Sequence, residues 1–204
     1  MNNCGNLYIV SAPSGAGKTS LLKALLSKVE NISSSISTTT RAIRPAEVDG
    51  SDYHFVSIDE FNSMIKQGEF LEHAEVFGNF YGTSKTRLND ILNSGLDLVL
   101  EIDWQGAQQI RKKLPDTLSI FVLPPSRDDL AHRLNNRAQD DPEVIQRRMS
   151  SAIEEISHYD EYDYLIINDV FEDALRDLEY IIRANRLSLS RQSSLYKELI
   201  SELM

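Results

Sequence analysis

Leu7-Tyr-Ile-Val10, followed at once by Ser11-Ala-Pro-Ser-Gly-Ala-Gly-Lys-Thr-Ser20, decides the fold of this chain. An apolar run of this length reads as a buried strand, and Leu21, Leu22, Leu25 and Leu26 behind it repeat at helical spacing. Strand, glycine-bearing loop, Lys-Thr and helix in that order make a phosphate-binding loop. Gly15 and Gly17 let the backbone turn its N–H groups, those of Ser14 and Ala16 among them, inward around a polyphosphate. The helix start at Lys18, Thr19 and Ser20 adds free N–H groups and a partial positive charge. Lys18 is placed to reach the β and γ phosphates and Thr19 to hold Mg²⁺. The usual first glycine of the pattern is Ala12 here, the next smallest residue. The plainer alternative is an ordinary Gly-rich β-to-α turn.

The bulk composition bounds the rest. The 204 residues suffice for one α/β domain with a sizeable core and an inserted subdomain. A net charge of −10 argues against a nucleic-acid binder, so a polyanionic ligand must be met by locally concentrated arginines. The single cysteine, Cys4, permits no internal disulfide and fits a reducing, cytoplasmic setting. The segment Met1–Gly5 lacks the basic region of a secretory signal, and no apolar run approaches the ~20 residues of a membrane span. His54, His73, His132 and His158 show no metal-ligand spacing.

Strand and helix patterns alternate, which predicts a parallel sheet. Helices are expected over 18–29, 84–93, from Trp104, over 126–137, up to His158 and over 172–187. Strands are expected over 35–39, 53–56, 70–76, 96–100, 118–123 and 164–167. Ser57 with Glu60 three residues on forms a capping box, and Gly68 closes that helix. The serine-rich tail beyond 187 is weakly helical, and the sequence does not choose whether it packs or frays.

Three constellations carry chemistry. In Ser37-Thr-Thr-Thr-Arg41-Ala-Ile-Arg44-Pro45, two planar guanidinium forks can converge on one phosphate, although two arginines before a proline also suit a solvated loop. Tyr53 and Tyr81 can each add a hydroxyl. Glu101 and Asp103, spaced by two at the end of a buried strand, share a face and suit Mg²⁺ or its waters, Glu101 directly or through a water. Arg133 and Arg137 lie four apart on one helix face, with Arg148 beyond the polar break at 138–142, so a helix–loop–helix can present all three. Taken alone, charged helix faces are solvated.

Seven segments in order carry a resemblance: Ser11–Thr19, Ser37–Glu47, Asp52–Phe55, Phe70–Glu72, Asn79–Thr83, Leu100–Gly106 and Ile166–Asp169. Along essentially its whole length the chain resembles the guanylate kinases of bacterial type. The resemblance implies a P-loop nucleoside monophosphate kinase fold: a parallel-sheet α/β core over 1–36, 83–125 and 159–204, a GMP-binding subdomain over 37–82, and a helical lid over 126–158. It implies transfer of the ATP γ-phosphoryl group to GMP with Mg²⁺, giving GDP and ADP, and it suggests a homo-oligomer. The family's GMP-phosphate residues fall on Arg41, Arg44, Tyr53 and Tyr81, and its guanine contacts on Ser37, Glu72 and Thr83. Asp103 falls beside the nucleoside, Arg133 and Asn168 on the ATP side, and Arg137 and Arg148 on the lid arginines that act with Lys18 and Arg41 in catalysis.

A carboxylate at Glu72 suits guanine, whose N1–H and exocyclic amine form a donor pair that adenine lacks. Glu72 is expected to be solvated while the site is empty. Ala46 and Ala138 replace the family's usual glycines, and a positive φ at either would cost roughly 1 kcal/mol. A kinase of another phosphate ester, such as a ribose phosphate, and a non-catalytic guanylate-kinase-like interaction module are the rival readings. Glu72 and Ser37 count against the first, and Lys18, Thr19 and the lid arginines against the second.

Overall fold

The computed structural model describes residues 5–76, 78–136 and 142–204. Five strands form a parallel sheet: β1 (Leu7–Ser11), β2 (Ile32–Ser34), β7 (Asp97–Glu101), β8 (Leu118–Leu123) and β9 (Tyr164–Ile167), in the order β2-β7-β1-β8-β9. β1 is central because its apolar run can be buried on both faces. On one face Tyr8, Val10, Val99, Ile120 and Val122 pack under Leu21, Leu22 and Leu25 of α1 (Lys18–Lys28) and Leu178 and Ile182 of α7 (Phe171–Arg186). On the other face Ile9, Leu98 and Leu100 pack under Leu88 of α3 (Lys85–Asn93) and Ala107 and Ile110 of α4 (Trp104–Lys113). Ile9 is wholly buried, so Ile9→Ala would cost about 2–5 kcal/mol.

A second sheet of four strands joins β3 (Thr38–Thr39), β4 (His54–Phe55), β5 (Phe70–Val76) and β6 (Asn79–Ser84) in the order β4-β3-β6-β5. Here β6 runs antiparallel to both neighbours. Between β4 and β5 lies α2 (Ile58–Lys66), whose start carries the Ser57–Glu60 capping box in both directions. Stacked Phe61, Phe70 and Phe80 form the small core of this layer.

Two expectations change. The stretch 35–39 is not one strand. Ile32–Ser34 pairs with β7, and Thr38–Thr39 pairs with β4 and β6, so the chain crosses between sheets within a few residues. β6, absent from the strand expectations, forms because its polar sequence pairs with β5 through a turn with Gly78 at φ 74°.

Helices α5 (Arg127–Asn136) and α6 (Pro142–Ile156) pack through Leu130, Leu134 and Ala152. The tail folds into α8 (Leu189–Leu195) and α9 (Lys197–Leu203). It is fastened at Asp97, which is wholly buried at the start of β7. One Asp97 oxygen accepts from Arg186 Nε at 2.7 Å, and the other accepts from Arg191 at 2.6 Å and from the Asn6 N–H at 2.7 Å.

Candidate active site

The loop between β1 and α1 turns on two glycines in left-handed conformation, Gly15 at φ 91° and Gly17 at φ 94°. A Cβ on Gly17 would also fall 2.5 Å from the Asn168 side-chain nitrogen. No side chain caps α1, and its first turn has no acidic residue, so the helix start faces the cleft with its anion-binding character intact. Lys18 Nζ donates to the Ile102 carbonyl at 3.2 Å, and Thr19 Oγ1 donates to Glu101 Oε1 at 2.5 Å. Ser20 is exposed on α1.

The loop is braced from outside the cleft. The Asn168 amide donates to the Ala16 carbonyl at 2.7 Å. Arg133 donates to the same carbonyl at 3.3 Å and to the Asn168 carbonyl at 3.0 Å. Across the cleft, the Ser14 N–H donates to Glu155 Oε2 of α6 at 2.8 Å. Burial pushes the Glu155 carboxyl up, against the pull of that hydrogen bond and of Lys18.

Arg41 and Arg44 are organised by Glu47, which sequence reasoning missed. Arg41 meets Glu47 Oε1 at 2.7 Å, and the Arg44 N–H donates to Glu47 Oε2 at 2.9 Å. The arginine contact holds the Glu47 carboxyl below its usual range. Arg41 also sits 5.3 Å from the Tyr53 ring centroid and 5.7 Å from that of Phe55. The two guanidinium groups therefore differ. The Arg41 side chain is 13% exposed and that of Arg44 70%. Ala46 has no positive φ, since Asn31 at φ 57° is the one such non-glycine among the described residues.

Glu72 is buried, 3% exposed, rather than solvated. It lies against Gly106 of α4, and Thr83 Oγ1, opposite it on β6, donates to Glu72 Oε1 at 2.5 Å. Burial pushes the Glu72 carboxyl up to about 7, and the Thr83 hydroxyl works in the opposite direction. Asp103 caps α4 by accepting from the Gly106 N–H at 2.9 Å, and burial raises its carboxyl as well.

These groups meet in two adjoining cavities that share Ser14, Thr19, Tyr53, Tyr81 and Glu101. One, of about 270 Å³, adds Lys18, Ser37, Glu72 and Asp103. The other, of about 1020 Å³, adds Arg41, Arg44 and Arg148. Thr83 lies behind Glu72, while Arg133 and Asn168 line neither cavity and instead support the loop. Arg137 and Ala138 lie outside the described residues. Among the described residues no three His, Cys, Asp or Glu gather in a metal-binding group. Thr19 and Glu101 nevertheless fit Mg²⁺, a cation that takes one or two protein ligands and fills its shell with phosphate oxygens and water.

Residues 4–185 match the family model described as guanylate kinase. The chain is 56% identical to a guanylate kinase of Alkalilimnicola ehrlichii over 98% of each chain. It is 58% identical to one of Pseudomonas fluorescens over its full length and 98% of that protein, and 57% identical to one of Escherichia coli K12 over 98% of each. Among solved structures it is similar to guanylate kinase from Anaplasma phagocytophilum, with a TM-score of 0.77 and 37% identity over 92% of this chain and 89% of that one.

Proposed function

The chain belongs to the guanylate kinase family, and from that premise we propose how its cleft works. It is an enzyme that phosphorylates GMP with ATP, giving GDP and ADP. An oxygen of the GMP phosphate attacks the γ phosphorus in line, and the bond from that phosphorus to the β–γ bridging oxygen breaks as ADP leaves. The attacking oxygen is already anionic, so the reaction asks for positioning and charge neutralisation rather than a protein nucleophile.

Residues 126–158 are assigned as the lid, 37–82 as the GMP subdomain and the remainder as the core. The phosphate loop from Ser14 to Ser20 holds ATP, with Lys18 on its terminal phosphates. Arg133 and Asn168 support that loop through Ala16. Arg41 and Arg44, with the hydroxyls of Tyr53 and Tyr81, take the GMP phosphate. Ser37, Glu72 and Thr83 take the guanine, and Asp103 the nucleoside. Arg137 and Arg148 approach the transferring phosphoryl group when the lid closes. Thr19 and Glu101 would hold Mg²⁺, which when bound neutralises charge on the β and γ phosphates.

The observation that carries the reading is that Lys18 and Glu72 line one cavity, so a phosphate grip and a guanine-matched carboxylate border the same space. The same carboxylate weighs against a ribose phosphate as acceptor. ATP and GMP are taken as its ligands in preference to nucleic acid on its net charge of −10, and a cytoplasmic setting is supported by its single cysteine. No helix among the described residues is long and apolar enough to cross a membrane. Exposed Leu189, Leu199 and Leu203 support association with a second copy, which sedimentation would check. An ADP-release assay offering GMP, AMP, UMP and ribose phosphates in turn, with ATP and Mg²⁺, tests the assignment. Turnover confined to GMP is expected, and equal turnover with ribose phosphates would overturn it.

A further inference from the structure

Helix α4 carries a glycine in its first turn, Gly106, although alanine is the better helix former. The glycine is not there for backbone freedom, because its φ is not positive. It is there for space. A Cβ built on Gly106 would lie 2.7 Å from Glu72 Oε2, 3.2 Å from Glu72 Cδ and 3.4 Å from Asp103 Oδ1.

A second relationship on the same helix points the same way. β5 is an edge strand, so the outward backbone groups of His73 lack a strand partner. The Gln109 side chain supplies both partners. Its Oε1 accepts from the His73 N–H at 3.2 Å, and its Nε2 donates to the His73 carbonyl at 2.7 Å. Lys113 donates to the Leu71 carbonyl. The backbone is therefore gripped by α4 on both sides of Glu72, at a place where the pairing of β5 with β6 shifts register between Phe70 and Glu72. A strand whose own ladder slips by one residue needs an outside reference, since a one-residue slip would turn Glu72 to the opposite face.

We propose that Gly106 and Gln109 are positioning residues for base selection. Gly106 leaves the room that Glu72 needs beside α4, and Gln109 pins the strand so that the carboxylate stays there. Asp103 caps the same helix, so α4 sets the base-reading and nucleoside-facing carboxylates in one frame. The inference rests on the reading of Glu72 as the guanine acceptor.

The test compares wild type, G106A, Q109A and E72Q with GMP and with inosine monophosphate, which keeps the N1–H and lacks the exocyclic amine. Moving the carboxylate forfeits its match to the donor pair, so kcat/KM for GMP should fall at least about tenfold in G106A while that for inosine monophosphate falls less than about threefold. The loss should appear in KM, with kcat at saturating GMP kept within about threefold. Q109A should shift the ratio in the same direction, and it decides the matter if circular dichroism shows that G106A does not fold.

A merely structural role would lower both substrates by the same factor, and that result in G106A and Q109A overturns the proposal. If E72Q narrows the preference for GMP while both positioning variants keep it, the proposal fails and the reading of Glu72 stands. If E72Q keeps the preference, the reading of Glu72 fails and the proposal with it.

Discussion

Glu155 Oε2 of α6 accepts a hydrogen bond from the backbone N–H of Ser14 at 2.8 Å, which sets a carboxylate at the lip of the phosphate loop. That carboxylate lines the same cavity as Lys18, where a triphosphate must also fit. Replacing it by Gln keeps an acceptor for the Ser14 N–H and removes the charge. Glu155→Gln should lower the KM for ATP by roughly fivefold, a Coulomb effect of about 1 kcal/mol, and the gain should shrink at high salt. A raised KM at every ionic strength would show that the carboxylate acts as a structural tie.

Lys18→Ala should cost ~10²–10³ in turnover at saturating nucleotides while the thermal midpoint moves little. Among the described residues Lys18 hydrogen-bonds to the Ile102 carbonyl alone, so little of the fold depends on it. Wild-type turnover in this variant would remove the loop from the mechanism.

Arg41 is shielded and held by Glu47, whereas Arg44 extends into solvent. A preorganised guanidinium loses less freedom on meeting a phosphate. Arg41→Ala should raise the KM for GMP by the equivalent of roughly 1.5–3 kcal/mol, with Arg44→Ala doing less. Inhibition by guanosine, which has no phosphate, should stay near wild type in both. Equal weakening of guanosine and GMP would make the arginines structural.

The Glu72 carboxyl, at about 7 in the folded chain against an ordinary 4.5, makes stability depend on pH. The retained proton favours folding fully below the unfolded value, and this contribution is lost as pH rises through about 7. Glu72→Gln should therefore melt above wild type by a margin that grows between pH 5 and pH 8, by at most about 3 kcal/mol in the nucleotide-free protein. A margin that does not vary with pH would show that Glu72 titrates normally.

How far the chain could be read varied with the range of the physics. The phosphate loop was legible because its chemistry is local. Positive φ at Gly15 and Gly17, the lysine and the following helix all lie within ten residues. The burial of Glu72 was not legible, since it follows from α4, some thirty residues later in the chain, closing over β5. The role of Glu47 was not legible either, because a carboxylate two residues past a proline looks solvated until its arginines are placed. The split of residues 32–39 between two sheets was hidden because a polar, serine-rich run carries no alternation to mark where it changes partners.

The buried Asp97 carboxylate also bears on how the chain is made. Its cations come from Arg186 and Arg191, while the strand it opens pairs directly with β1 near the beginning of the chain. During synthesis, β1 and β7 are available long before those arginines, and seating β7 early would bury a lone negative charge at a cost of several kcal/mol. The central strands should therefore close only after residue 191 has left the ribosome. Nascent chains halted at 185 should remain open to protease, whereas chains in which residue 191 has cleared the ribosome resist it.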